Sequence, residues 1–366
     1  MTLLFISRIG DSLGLAMRCL SEGYSILFYT EDESASFLGN GIVEKVAFSK
    51  HLLNQREECV ASNIHQLLTE TKPDLVVVDG EGMGKVADYI KEQGVSVFGS
   101  SHWTDSLCSN ESYAREVMKR VGIERWKGEE GVKLECGVWW NGLSSISSFV
   151  VWNEDRFMTS SLGPLIDSAS NIISCPHLHT ELVENGVGKM ERLLKKSKFR
   201  GILSLSSIVT KSKLYAISFT TSTLYLSSLL ELYKGSVVEL LLAVSNARKS
   251  DGEFTTDYAL SLLLSVPPFP SPSNGCVKTL VKGVSPSNLR HLYMMDMQKN
   301  GDVYESGGRD GKLMFVSARG RDVGEAKKRV MKTISNLDID NVQYRVDPTT
   351  RISIEEKKLL EWGYLI

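Results

Sequence analysis

The run Leu75-Val-Val-Val-Asp79, set between Asp74 and Gly80, limits the architecture more than any other stretch. Its β-branched side chains show no alternation with polar ones. A strand of this kind is covered on both faces, which is the situation in parallel sheets flanked by helices. Leu3–Ser7, Ser25–Tyr29 and Val95–Gly99 read as companion strands. Between them lie a glycine-containing turn, Ile9-Gly10-Asp11-Ser12-Leu13-Gly14, a helical pattern through Leu20, and a second helix over Lys85–Gln93. Strands alternating with helices predict a parallel α/β sheet with helices on both sides, ending near residue 105.

Beyond that point the pattern changes. Ser109–Val121 is an amphipathic helix with Tyr113, Val117 and Val121 on one stripe. Gly131–Val209 is strand-rich, with candidates at Val138–Trp140, Ser148–Trp152 and Gly201–Val209, and a helix over Val187–Lys196. A further helical region covers Ser227–Ala247. The segment Val266-Pro-Pro-Phe-Pro-Ser-Pro-Ser-Asn-Gly275 reads as a connector, because each proline fixes φ and removes a donor. The remainder is strands with one helix. The expected organisation is an α/β domain over 1–105, a central domain over 106–265 and an α+β domain over 276–366.

With 366 residues, 42% of them hydrophobic, the chain can bury substantial cores. A net charge of −2 gives no global electrostatic reason to bind nucleic acid or an anionic membrane. The basic clusters Lys195, Lys196, Lys198, Arg200 and Lys327, Lys328, Arg329 read as solvated helix faces. Six cysteines without a C-x-x-C pair argue against structural zinc and a disulfide framework, and fit a reducing cytoplasm. No apolar run reaches the roughly 18 residues that span a bilayer. His177 and His179, two apart near Cys175, read as a surface loop rather than a metal site. Glu129, Glu130 and Asp155 lack acid–base spacing, no G-x-S-x-G is present, and Trp139, Trp140 and Trp152 read as sheet core.

One stretch has a more specific order: Glu305-Ser-Gly-Gly-Arg309-Asp-Gly, then Val316-Ser-Ala-Arg-Gly320, a helical run, and Tyr344-Arg345. It resembles the C-terminal domain of phosphoribosylamine–glycine ligase, an ATP-grasp enzyme of purine synthesis. Asp74–Asp79 with Gly94–Ser100, the helix Ser109–Ile123, and Asn153–Pro164 are similar to successive segments of the same family. The passage from Ile123 to Cys136 is short, as in phage-type members of the family.

The resemblance implies an ATP-grasp-like fold with a reduced central domain, ATP and Mg2+ as cofactors, and ligation of an amine to a carboxylic acid. It also implies ligand contacts at Gly10, Asp11, Gly80, Arg156, Gly163, Pro164, Gly307, Gly308 and Arg309. Backbone amides at a strand–helix turn can receive an anion, and an arginine can hold a carboxylate or phosphate by two parallel bonds. Other positions depart from the family. Glu111 stands where the family has an ATP-side lysine, Ser218 where it has a magnesium-binding carboxylate, and the lid segment is missing. Magnesium prefers hard anionic oxygens, and phosphoryl transfer depends on metal and positive charge. No catalytic or metal-ligating residue is assigned. Two readings stay open: a divergent ligase of reduced activity, or an inactive binding or scaffold protein for a phosphorylated ligand or a protein partner.

Overall fold

The computed structural model describes residues 1–48, 50–53, 57–80, 82–271 and 278–365. Residues 272–275 of the proline-rich connector, and Cys276, lie outside the described residues.

The first sheet contains β1 (Thr2–Ser7), β2 (Ser25–Thr30), β3 (Glu44–Lys45), β4 (Leu75–Asp79) and β5 (Ser96–Gly99). The strands run parallel in the order β3-β2-β1-β4-β5. All five residues of β4 are buried, as a strand covered on both faces requires. The two-residue side-chain period divides the layers. Leu4, Ile6, Val76 and Val78 pack in one core with residues of α2 (Glu57–Thr71) and α3 (Gly84–Glu92). Leu3, Phe5, Leu75 and Val77 face the other way, into the core that holds α1 (Leu13–Ser21). A one-residue slip would exchange these two sets, so the register is strongly fixed.

Two helices follow, α4 (His102–Ser109) and α5 (Glu111–Val121). Ser101 and Thr104 form a reciprocal cap at the start of α4, and Asn110 Oδ1 accepts from the Tyr113 N–H to start α5. Gly122, in the left-handed region, ends α5. Only β6 (Glu124–Arg125) separates this end from β7 (Val132–Trp140).

The central sheet then builds from β7, β8 (Ser145–Met158), β9 (Leu162–Ser174), β10 (Gly201–Val209) and β11 (Leu214–Thr220). Between β9 and β10 lie α6 (Glu181–Asn185), a 3-10 turn over Val187–Met190 and α7 (Glu191–Leu194), in place of the single helix expected over 187–196. The helical region after β11 divides into α8 (Leu226–Leu232) and α9 (Val237–Ser245), with β12 (Tyr233–Lys234) between them. A short β13 (Glu253–Phe254) pairs with β12, and β14 (Tyr258–Ser265) returns to the sheet beside β9.

After the connector come β15 (Leu280–Lys282), β16 (Leu292–Met294), β17 (Met297–Asn300), β18 (Val303–Ser306), β19 (Lys312–Gly320) and β20 (Asp338–Ile339). Helices α10 (Val323–Ser335) and α11 (Ile352–Glu361) complete the chain. Strands β16 and β19 extend the central sheet through β14, giving the order β16-β19-β14-β9-β8-β7-β10-β11-β6. The others form a small sheet ordered β17-β18-β15-β20.

Trp139, Trp140 and Trp152 are core residues. The Trp139 ring lies 5.9 Å from Phe98 on β5 and 5.6 Å from Phe254, tying the first sheet to the central one. The Gly99 N–H also donates to the Arg200 carbonyl across this seam. These contacts bring the C-terminal ends of β1 and β4 against the central and C-terminal segments. No two of the described cysteines form a disulfide.

Candidate functional site

At the end of β1, Gly10 adopts φ +91° and its N–H donates to Ser7 Oγ at 2.9 Å. A Cβ there would stand 2.6 Å from Leu38 Cδ1, so the turn needs glycine. Gly80, with φ +120°, follows Asp79 at the end of the neighbouring strand, and its missing Cβ leaves room for Arg8. Ser7 and Asp79 are register partners. The Asp79 carboxylate, almost fully buried, accepts from Ser7 Oγ at 3.1 Å and from Thr223 Oγ1 at 2.8 Å, and the Ser12 backbone N–H faces it. Asp79 therefore sits beside the Ser12 N–H at the entry to α1, where an anion is favoured by the helix dipole. Burial raises its pKa, against the pull of these donors.

Asp11 lies beside it. Burial and the Asp79 charge push Asp11 up to about 7, while Lys312 and Arg309 oppose the rise. Tyr293 packs its ring where a side chain on Gly14 would go.

The loop 307–311 folds around a second carboxylate. Asp296 accepts from the backbone N–H groups of Arg309 (3.0 Å), Asp310 (3.1 Å) and Gly311 (3.0 Å), and its own carbonyl accepts from Gly307 N–H. Successive N–H groups of this kind form an anion-binding concavity, and here the chain fills it with its own side chain. Gly307 lacks a Cβ that would collide with Phe37 and Asp296; Gly308 adopts φ +84°. The Arg309 guanidinium lies 3.4 Å from Asp310 Oδ2. Lys312 bonds Asp167 at 3.0 Å; burial pulls its pKa down, but Asp167, Asp11 and Asp310 outweigh that and raise it. Leu38 packs against both Gly10 and Gly307, so the two glycine turns flank one side chain.

Arg156, Gly163 and Pro164 form a separate group at the end of the β8–β9 hairpin. Arg156 Nη1 donates to the Gly163 carbonyl at 2.8 Å, closing the hairpin, and Pro164 is exposed. Below them Glu154 is held by Arg345 (3.1 Å) and Arg351 (2.6 Å), and Arg345, which is buried, also bonds Asp347.

The third region is a row across the central sheet. Glu135 on β7 is opposite Ser206 on β10, which is opposite Ser218 on β11. Directly opposed residues share a face, so one carboxylate and two hydroxyls line up. Glu135 accepts from Ser204 Oγ at 2.9 Å and Tyr225 Oη at 2.5 Å, and burial raises its pKa. Glu111 is exposed and engaged by Arg115 and Arg125.

Thus Gly10, Asp11, Gly80, Gly307, Gly308 and Arg309 converge on one junction, and Arg156, Gly163 and Pro164 do not join it directly. Sequence reasoning gave no site role to Asp79, Thr223, Tyr293, Asp296 or Lys312. Asp79 did carry a signal: a carboxylate at the C-terminal end of a buried strand faces the crevice where ligands bind in α/β sheets.

No protein-family model matches the chain, and no curated protein matches its sequence. Solved structures do match in fold. Phosphoribosylamine–glycine ligase from Thermotoga maritima aligns over 95% of this chain and 100% of its own, at 13% identity and a TM-score of 0.68. The biotin carboxylase domain of a single-chain bacterial carboxylase aligns over 99% and 100%, at 12% identity and 0.61. Pyruvate carboxylase from Rhizobium etli aligns over 93% of this chain and 33% of its own, at 11% identity and 0.64. The chain has the ATP-grasp fold common to these ligases and carboxylases.

Proteins of that fold use ATP and Mg2+. In the row across the central sheet Ser206 and Ser218 offer neutral hydroxyls, and Glu135 accepts from Tyr225 and Ser204. Among the described residues no three His, Cys, Asp or Glu side chains are grouped to hold a metal. No helix among them is long and apolar enough to cross a membrane.

Proposed function

We propose that this chain is an ATP-grasp-fold protein, descended from a purine-pathway ligase, that has given up phosphoryl transfer and acts by binding. The carrying observation is that its anion receivers are filled by its own carboxylates. Asp79 sits at the start of α1 and Asp296 within loop 307–311. A phosphate brought to either place meets an occupying carboxyl group, and wherever that group is ionised the repulsion at about 4 Å and an effective dielectric near 20 is about 4 kcal/mol. Lys312, whose charge acts on Asp11, is already paired to Asp167. The same occupancy favours a ligand without phosphate, or a protein partner, over a phosphosugar.

The test is turnover. Purified protein incubated with MgATP, glycine and phosphoribosylamine should release no ADP above the enzyme-free rate. ADP appearing in step with amide product would refute the proposal.

One observation favours a second reading, a ligase that uses Glu135 as its metal carboxylate. Glu135 shares its cross-strand row with Ser206 and Ser218, and Asp155 and Asp167 also act on Tyr225. On that reading, Glu135→Gln abolishes a turnover that the wild type must first display.

A further inference from the structure

Away from the junction, a cavity of about 110 Å3 opens between α1, α8 and residues 286–293. Its walls are largely apolar, with Met17, Leu230 and Leu292 among them. Two cations line it. Arg18 lies in the wall and Arg290 stands exposed at the mouth. The acid in the wall is already engaged: Glu231 Oε1 lies 2.8 Å from His291 Nδ1 and 3.4 Å from Ser317 Oγ.

We propose that this cavity binds a small organic anion, a monocarboxylate with a short apolar body. A guanidinium at a cavity wall is matched by a carboxylate, which it can hold by charge-assisted hydrogen bonds. Apolar walls with a few convergent polar groups are the usual makeup of small-molecule sites. An enclosed apolar cavity of about 150 Å3 holds a benzene ring, and this one, smaller but open at its mouth, seats part of such a body with the charged end towards the arginines. Inorganic phosphate fits poorly, because it has no body for the apolar walls and brings a second charge towards Glu231. The proposal concerns a different place from the junction and stands or falls separately from the loss of phosphoryl transfer.

Ligand-observed NMR titration with benzoate, with neutral benzamide as the control, tests it on the full chain. Wild type should saturate with a Kd of about 1 mM or tighter, and benzamide should bind at least about five-fold more weakly. Arg18→Gln and Arg290→Gln should each weaken benzoate by about five-fold or more. Arg290 is exposed, so its variant should keep the wild-type unfolding temperature and decides the matter if Arg18→Gln fails to fold. No saturation up to about 10 mM benzoate, equal binding of benzamide, or an unchanged affinity in Arg290→Gln overturns the proposal.

Discussion

Replacing Asp11 with Asn tests the electrostatics of the junction. Asp11 has its pKa raised from 3.8 to about 7, first by burial and then by Asp79. The folded state therefore holds a proton that the unfolded chain releases, and stability falls as pH rises from about 4 to about 7. At about 1.4 kcal/mol per unit, a shift of about 3 units sets an upper limit near 4 kcal/mol. Asp79 shares the titration, so a gain of about 2–4 kcal/mol is the expected range. Asparagine keeps the shape of the protonated acid and does not titrate. The stability advantage of Asp11→Asn over wild type should thus be small near pH 4 and grow by about 2–4 kcal/mol by pH 8. Urea denaturation of both proteins across that pH range measures it, with equal m-values confirming that the unfolded states compare. A difference that stays flat with pH, or a variant less stable than wild type at pH 8, would show that Asp11 is not held in a costly ionised state.

Three other outcomes follow from the geometry. Tyr225→Phe removes a donor from buried Glu135 and should cost about 1–3 kcal/mol in urea denaturation, with Ser204 left as its one remaining side-chain donor. Arg345→Met leaves Glu154 and Asp347 short of a buried partner and should cost about 3–5 kcal/mol by the same measurement, reduced to the extent that Arg351 still holds Glu154. Asp296→Ala empties the concavity formed by the N–H groups of 309–311, so sulfate should raise the unfolding temperature of the variant more than that of wild type; equal shifts count against an anion site there.

The first sheet was legible because its strands are covered on both faces and read as continuous apolar runs, Leu75–Val78 above all. Helix α2 was not, since its buried stripe reduces to Asn63, Ile64 and Leu67 among polar neighbours. Strand β9 was missed for a related reason. Its first half is largely exposed and begins Leu-Gly-Pro, so neither alternation nor an apolar run marks it. The helix read over 187–196 divides into a 3-10 turn over Val187–Met190 and α7, a break that its apolar spacing did not mark. At the site, glycine spacing pointed to the Gly10 turn and to loop 307–309, because turns with positive φ or close approach leave a residue-type signature. Asp296 left none, and Asp79 signalled only its place at the end of a buried strand. That a carboxylate at 79 reaches the first turn of α1, or that one at 296 reaches three amides of a later loop, depends on tertiary placement. The absence of a carboxylate at Ser218 was visible in the sequence; that Ser206 faces it and that Glu135 is locked to Tyr225 required the strand register.

Isothermal titration of the protein with ATP in excess Mg2+ bears most directly on whether this fold still handles nucleotide. With Asp79 and Asp296 filling the anion receivers and hydroxyls opposite Glu135, no saturable heat is expected at about 1 mM nucleotide, which corresponds to a binding free energy weaker than about −4 kcal/mol. A stoichiometric, magnesium-dependent isotherm with micromolar affinity would contradict the account.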